Sequence, residues 1–278
     1  MIKDLIVQGP GAGEKQLELI FELSGAEKMT QLGPNAWRLH DAQTAKSARS
    51  CCKGLPIDFA EVPAEQRLAD FGLLAMDMDS TLITIECIDE IADMAGIKPQ
   101  VAQITESAMR GEIDFAESLR RRVGLLAGLP VSALEKVYEE RLRLTPGAEQ
   151  LLQRAKELNI KTLLVSGGFT FFVDRLKEKL ALDYTRSNVL EIVDGKLTGK
   201  VVGDVFDAQG KAKALVETRE QLGLKPDQTI VIGDGANDLP MMAQSGVSIA
   251  YRAKPAVKEK ASYALDHSGL DGVLNLFL

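Results

Sequence analysis

Four short apolar runs, at residues 72–76, 161–165, 229–232 and 247–250, constrain this chain more than any other feature. Each is rich in Leu, Ile and Val and lacks the polar alternation of a half-exposed strand, as expected for strands covered on both faces. Helical patterns fall between and after them, including residues 170–180, 210–222 and 238–244. Parallel strands need crossovers of that kind. The chain is therefore expected to be α/β, with a doubly wound, Rossmann-like parallel-sheet core whose ligands bind just past the carboxyl ends of the strands.

Two regions depart from this alternation. Between the first and second apolar runs lies a long, mainly helical insertion; its last helix, 146–158, serves as the crossover, and 83–144 reads as a helical cap. Residues 188–202, NVLEIVDGKLTGKVV, read as a hairpin turning at Asp194-Gly195. Before the core, strands at 3–7, 28–32, 36–40 and 57–62 and helices at 14–23 and 42–53 give the order βαββαβ. That is the α+β ferredoxin-like pattern, and it resembles ACT-type regulatory domains, which bind amino acids or self-associate; a homodimer is open on this reading. With 63–70 as linker, the expected domains are 1–68 (ferredoxin-like, ACT-like) and 69–278.

The 278 residues are 45% hydrophobic and 26% charged, ordinary for a globular protein, and the net charge of −7 disfavours nucleic acid and anionic membranes as partners. Cys51, Cys52 and Cys87 have no zinc-ligand spacing with His40 and His267, so reduced thiols in a cytoplasmic protein are expected. No run approaches eighteen consecutive apolar residues, and the first residues, MIKDLIVQGPGAG, lack an export leader's apolar core; neither export nor a membrane span is expected.

The chemistry collects at strand ends. In LLAMDMDST, Asp77 and Asp79 close the first apolar run one residue apart, and would share a face if the strand continued through them. Two like charges so close call for a divalent cation or for one acid that carries a proton; a polar turn capping the next helix is the plain alternative. In LLVSGGF, Ser166 offers a hydroxyl, and Gly167 and Gly168 let bare N–H groups approach an anion; a tight turn is the other reading. In IVIGDGAND, Asp234 and Asp238 would repel each other without a hard cation such as Mg2+, unless Asp238 only caps the following helix. Lys211 stands near a helix start, against the helix dipole, where an anion would compensate it and where a solvated surface lysine is the alternative.

In this order, DxDST, SGG, Lys and GDGAND resemble the haloacid dehalogenase superfamily of phosphotransferases. An acid at the second position, Asp79, is similar to members that hydrolyse phosphate esters. The stretches MDMDSTLITIECIDEIA, AMRGEIDFAESLRRRV, LLVSGGF, DGKLTG, GDGAND and AKP resemble the phosphoserine phosphatase family within it, from about residue 73 to the end.

That resemblance implies Mg2+-dependent hydrolysis of O-phospho-L-serine, the last step of phosphorylated serine biosynthesis. It implies Asp77 as the nucleophile that becomes an aspartyl phosphate, and Asp79 as the acid and base of the two half-reactions. The metal would be held by Asp77, the Asp79 carbonyl and Asp234, with Asp238 behind them. Thr81, Ser166, Gly167, Lys211 and Asn237 would bind phosphate. Arg122 would take the substrate carboxylate, Glu86 its ammonium group, and Met109 and Phe115 its apolar flank; Arg120 and Arg121 read as a solvated helix face. The alternatives are a phosphatase or phosphotransferase for another small phospho-metabolite, such as homoserine phosphate, or a catalytically silent serine-binding regulator.

Overall fold

The computed structural model describes residues 3–278. In chain order the strands are β1 (Lys3–Gln8), β2 (Lys28–Gly33), β3 (Ala36–His40), β4 (Asp58–Pro63), β5 (Leu73–Asp77), β6 (Lys161–Phe169), β7 (Tyr184–Val193), β8 (Lys196–Val202), β9 (Thr229–Gly233), β10 (Val247–Tyr251) and β11 (Tyr263–Leu265). They fall into two compact units, each assembled from distant segments. One takes the chain up to Leu74 with Pro146–Lys161 and Leu224–Leu278; the other takes Ala75–Thr145 and Thr162–Gly223. The fold is mixed α/β with parallel strands, as the apolar runs predict, and carries a small antiparallel sheet at its N-terminus.

In the first unit, β1–β4 form an antiparallel sheet of order β2-β3-β1-β4, the ferredoxin-like arrangement. Leu5, Val7 and Leu39 pack with Leu17, Ile20 and Ala48 of the helices Glu14–Ser24 and Lys46–Cys51. The second helix is shorter than the pattern at 42–53 suggests. The N–H groups of Gln43 and Thr44 both donate to the Ser24 carbonyl, and that of Ala42 to Lys3, so the backbone is committed elsewhere before the helix can start.

The other sheet face is also buried, and mixes apolar Ile6, Ala60 and Val62 with polar groups. Arg38 is 1% exposed; its guanidinium meets Asp4 at 3.1 Å and donates to the carbonyls of Phe277 at 2.9 Å and Asn275 at 3.3 Å. Gln8 bonds Gly272 and Asn275, and Asp58 accepts the N–H groups of Asp266, His267 and Ser268. The same unit holds parallel β9, β10 and β11 in the order β11-β10-β9; β11, a three-residue strand, has no apolar run long enough to be read from sequence.

In the second unit the order is β5-β6-β7-β8. β7 starts parallel to β6, Leu163 facing Tyr184, then turns through Asp194 (φ 50°) and Gly195 (φ 73°) into antiparallel β8. Both turn residues are left-handed, the geometry an Asp-Gly hairpin adopts. The cap is helical: Cys87–Met94, Lys98–Met109, Phe115–Gly124 and Ser132–Lys136, with a wide turn over Val137–Arg141. The chain enters and leaves it side by side, Ile83 pairing with Leu144, and Gly128 and Val131 bond to β8 and its turn.

Candidate active site

β5 is buried along its length and delivers Asp77 at its carboxyl end. One Asp77 oxygen accepts the Met78 N–H at 2.7 Å, and the other lies 2.7 Å from Lys211 Nζ. Lys211 is 1% exposed, which excludes a solvated surface lysine; a buried ammonium needs a counter-charge, and Asp77 supplies one. Its helix, Ala208–Gln221, starts at Asp207, whose carboxylate accepts the N–H groups of Gln209 and Gly210. That cap, unnoticed in the sequence, gives the helix start the negative charge Lys211 lacks.

The strand does not continue through Asp79, so the two acids reach their places by a turn and not by strand alternation. Asp79 is extended, Ser80 is left-handed at φ 55°, and Ser80 Oγ donates to Glu86 Oε1 at 2.6 Å. The turn brings one Asp79 oxygen to the N–H of Cys87 at 2.9 Å and the other to within 3.4 Å of Ser166 Oγ. Burial pushes the Asp79 pKa up, against the downward pull of the Cys87 N–H and thiol, the Lys211 charge and the Ser166 hydroxyl. A carboxyl raised in this way can hold a proton for transfer. Burial likewise pushes the Cys87 thiol far up, helped by Asp79, so it is a poor nucleophile.

β6 runs on through the SGG segment to Phe169, beyond the strand end expected at Val165. Ser166 is fully buried, and its Oγ accepts the Gly168 N–H at 2.8 Å. A Cβ on Gly168 would sit 2.9 Å from Asp79 Oδ2, and one on Gly167 would sit 3.0 Å from Phe115 Cζ; the glycines are needed for these close approaches. Thr81 is fully buried after the turn.

On the cap, Asp114 caps the helix Phe115–Gly124 through the Glu117 N–H. Arg122 is half-buried on it; burial lowers its pKa, while Asp89, Glu86 and Asp79 draw it back up. Arg120 and Arg121 are exposed, Arg121 bonding Glu117 at 2.7 Å. Glu86 is exposed beyond its Ser80 bond, and Met109, at 68% exposure, forms no wall in this conformation.

In the other unit, Asp234 follows β9, and Asn237 and Asp238 lie in the 3-10 turn Ala236–Asp238. Asp238 is fully buried; its carboxylate accepts the Gly235 N–H at 3.1 Å and makes no capping bond to the helix Leu239–Met242. A Cβ at Gly233 would collide with that carboxylate, and one at Gly235 with the Asn237 side chain. The loop is a cradle of oxygen donors with no thiol or imidazole, chemistry that suits a hard divalent cation.

Residues 71–246 match the haloacid dehalogenase-like hydrolases. The chain belongs to that family. It is 59% identical over 215 residues to the phosphoserine phosphatase of Polaromonas sp. (strain JS666), covering 76% of this chain and 91% of that one. It is 45% identical over 246 residues to the phosphoserine phosphatase of Vibrio cholerae, covering 88% and 75%. The crystal structure of the probable phosphoserine phosphatase from Vibrio cholerae, unliganded, matches with a TM-score of 0.86 at 42% identity, covering 98% of this chain and 85% of that one.

Proposed function

We infer that this chain hydrolyses O-phospho-L-serine to L-serine and inorganic phosphate. The observation that carries the reading is the buried Asp77–Lys211 pair at 2.7 Å, with Asp79 held beside Ser166, on a chain so similar to enzymes of that specificity. Asp77 attacks phosphorus while Asp79 protonates the departing serine oxygen; Asp79 then takes a proton from the water that cleaves the aspartyl phosphate. Lys211, Ser166, Thr81, Asn237 and the Gly167 N–H hold the phosphoryl oxygens as charge moves onto them. Arg122 binds the substrate carboxylate, Glu86 its ammonium group, and Phe115, over Gly167, its apolar flank, with Met109 joining when the cap closes.

Bound Mg2+ would neutralise charge between an anionic nucleophile and an anionic substrate. Its ligands would be the Asp77 carboxylate, the Asp79 carbonyl and Asp234, with Asp238 buried behind them. The domain reading belongs to the same proposal: a ferredoxin-like unit over 1–68 and a phosphatase domain over 69–278, capped by 83–144. Among the described residues no helix is long and apolar enough to cross a membrane. A cytoplasmic biosynthetic role is part of the same proposal.

Phosphate release from phosphoserine, homoserine phosphate and other small phosphomonoesters, with and without Mg2+, tests this. Mg2+-dependent turnover fastest on phosphoserine is expected. Faster turnover of another ester would reassign the substrate, and serine binding without phosphate release would mean a silent regulator.

A further inference from the structure

Asn188, on β7, lies outside the motifs and is 2% exposed. Its side-chain amide bonds two separate segments, the end of β6 and the loop before Asp207. Oδ1 accepts the Phe206 N–H at 2.7 Å; Nδ2 donates to the Phe206 carbonyl at 3.1 Å and to the Gly167 carbonyl at 2.9 Å. To Phe206 the amide presents both a donor and an acceptor, as a neighbouring strand would, and its second N–H is spent on Gly167. Both hydrogens of the amide are thus used, by a side chain that no other residue type matches in size and polarity.

What it joins is specific. Gly167 belongs to the segment that carries Ser166, and Phe206 immediately precedes Asp207, the cap of the helix that carries Lys211. The Phe206 ring lies against Gly210, where a Cβ would come within 2.8 Å of it, so the loop and the first turn of the helix are fitted together. Fixing the Phe206 backbone therefore fixes the base from which Lys211 reaches Asp77.

We propose that Asn188 is a positioning residue that holds the Ser166–Gly167 donors and Lys211 at the spacing one phosphoryl group requires. It touches neither substrate nor metal. The proposal rests on the phosphoryl site of the proposed function, but not on the serine specificity.

The test uses the full Mg2+-loaded chain and two neutral variants: Asn188→Leu, which keeps the shape and removes all three bonds, and Asn188→Ser, which can keep one. Affinities for inorganic phosphate and for L-serine are measured separately, with cooperative melting as the control for folding. Phosphate affinity is expected to fall at least tenfold in Asn188→Leu and by less in Asn188→Ser, while serine affinity stays within about twofold. kcat on a generic aryl phosphate should fall alongside.

Phosphate binding within twofold of the unaltered chain in both variants overturns the proposal. So does a parallel loss of phosphate and serine affinity, or loss of cooperative melting in both variants, since either makes Asn188 a general scaffold residue. If the unaltered chain binds phosphate but prefers another ester to phosphoserine, the substrate assignment fails and this inference stands.

Discussion

Two buried ion pairs in this molecule look alike and sit in opposite surroundings. Asp77–Lys211 and Asp4–Arg38 join nearly inaccessible side chains at 2.7 and 3.1 Å. Around Arg38 the neighbours are mostly backbone: the carbonyls of Phe277 and Asn275 on the arginine, and the Asp41 N–H on Asp4, with the His40 ring 3.4 Å from the same carboxylate. These bonds fasten the N-terminal sheet to the last residues of the chain. Around Lys211 and Asp77 the neighbours are groups that chemistry can use, the raised carboxyl of Asp79 and the hydroxyl of Ser166. Arginine's planar fork suits a fixed set of acceptors, and lysine's single rotatable ammonium can follow a shifting charge. A buried ion pair is thus read by its neighbours, not by its distance.

The largest effect that separates the pairs is expected from Asp77→Asn. An amide cannot form an acyl phosphate, so steady-state phosphate release should vanish, while the amide oxygen still accepts from Lys211 and the protein melts cooperatively. Substantial turnover would remove Asp77 from the role of nucleophile.

Asp79→Asn should slow turnover about 10²- to 10⁴-fold, the usual span for a general acid–base group. It also has a pH consequence. The folded-state pKa is raised above the ordinary 3.8, so the folded chain holds a proton that the unfolded chain releases. That contribution to stability is complete below 3.8 and is lost as pH rises through the folded pKa. In metal-free protein, Asp79→Asn should therefore gain stability relative to the unaltered chain as pH rises from below 3.8 towards neutrality. Denaturation curves that stay parallel across that range would contradict it.

Arg38→Met should do the reverse of Asp77→Asn. It leaves Asp4 buried with only the Asp41 N–H and the His40 ring beside it and should cost about 3–5 kcal/mol in denaturant unfolding, with kcat unchanged in the remaining folded protein. A fall in kcat with unaltered stability would mean the pair serves catalysis after all.

Arg122→Ala sharpens the comparison on the cap. Losing the carboxylate partner should cost roughly 2–5 kcal/mol in kcat/KM on phosphoserine. An aryl phosphate, with no carboxylate to bind, should lose much less. Equal losses would make Arg122 a phosphate or structural residue.

The two pairs also mark what the sequence could and could not tell. Asp77, Ser166 and Asp234 each stand at the end of an apolar run, the local pattern by which a parallel strand presents a residue at its carboxyl end. Lys211 is legible only as a charge oddly placed on a helix. Arg38 gave no sign at all: its partners Asn275 and Phe277 lie 237 and 239 residues away, and no periodicity links them. Asn188 was hidden for the same reason, since its bonds go to backbone carbonyls and an amide with no side-chain identity. The left-handed turn at Ser80 has no signature in the sequence, since nothing in DxDST demands a positive φ at serine.

The adjacency of Ile83 and Leu144 has a meaning beyond the path of the chain. A segment whose two ends are already neighbours closes its own loop, and lengthening or replacing it adds little to the entropy of closure, about 0.6 kcal/mol for each doubling of length. A different insertion can therefore be carried at this junction with little change in closure, provided that it restores the bonds Cys87 and Glu86 make to Asp79 and Ser80. The ties from Gly128 and Val131 to β8 and its turn, and the approach of Phe115 to Gly167, are further conditions a replacement would have to meet. The junction fixes where the insertion is attached; the contacts inside it fix what it does to Asp79.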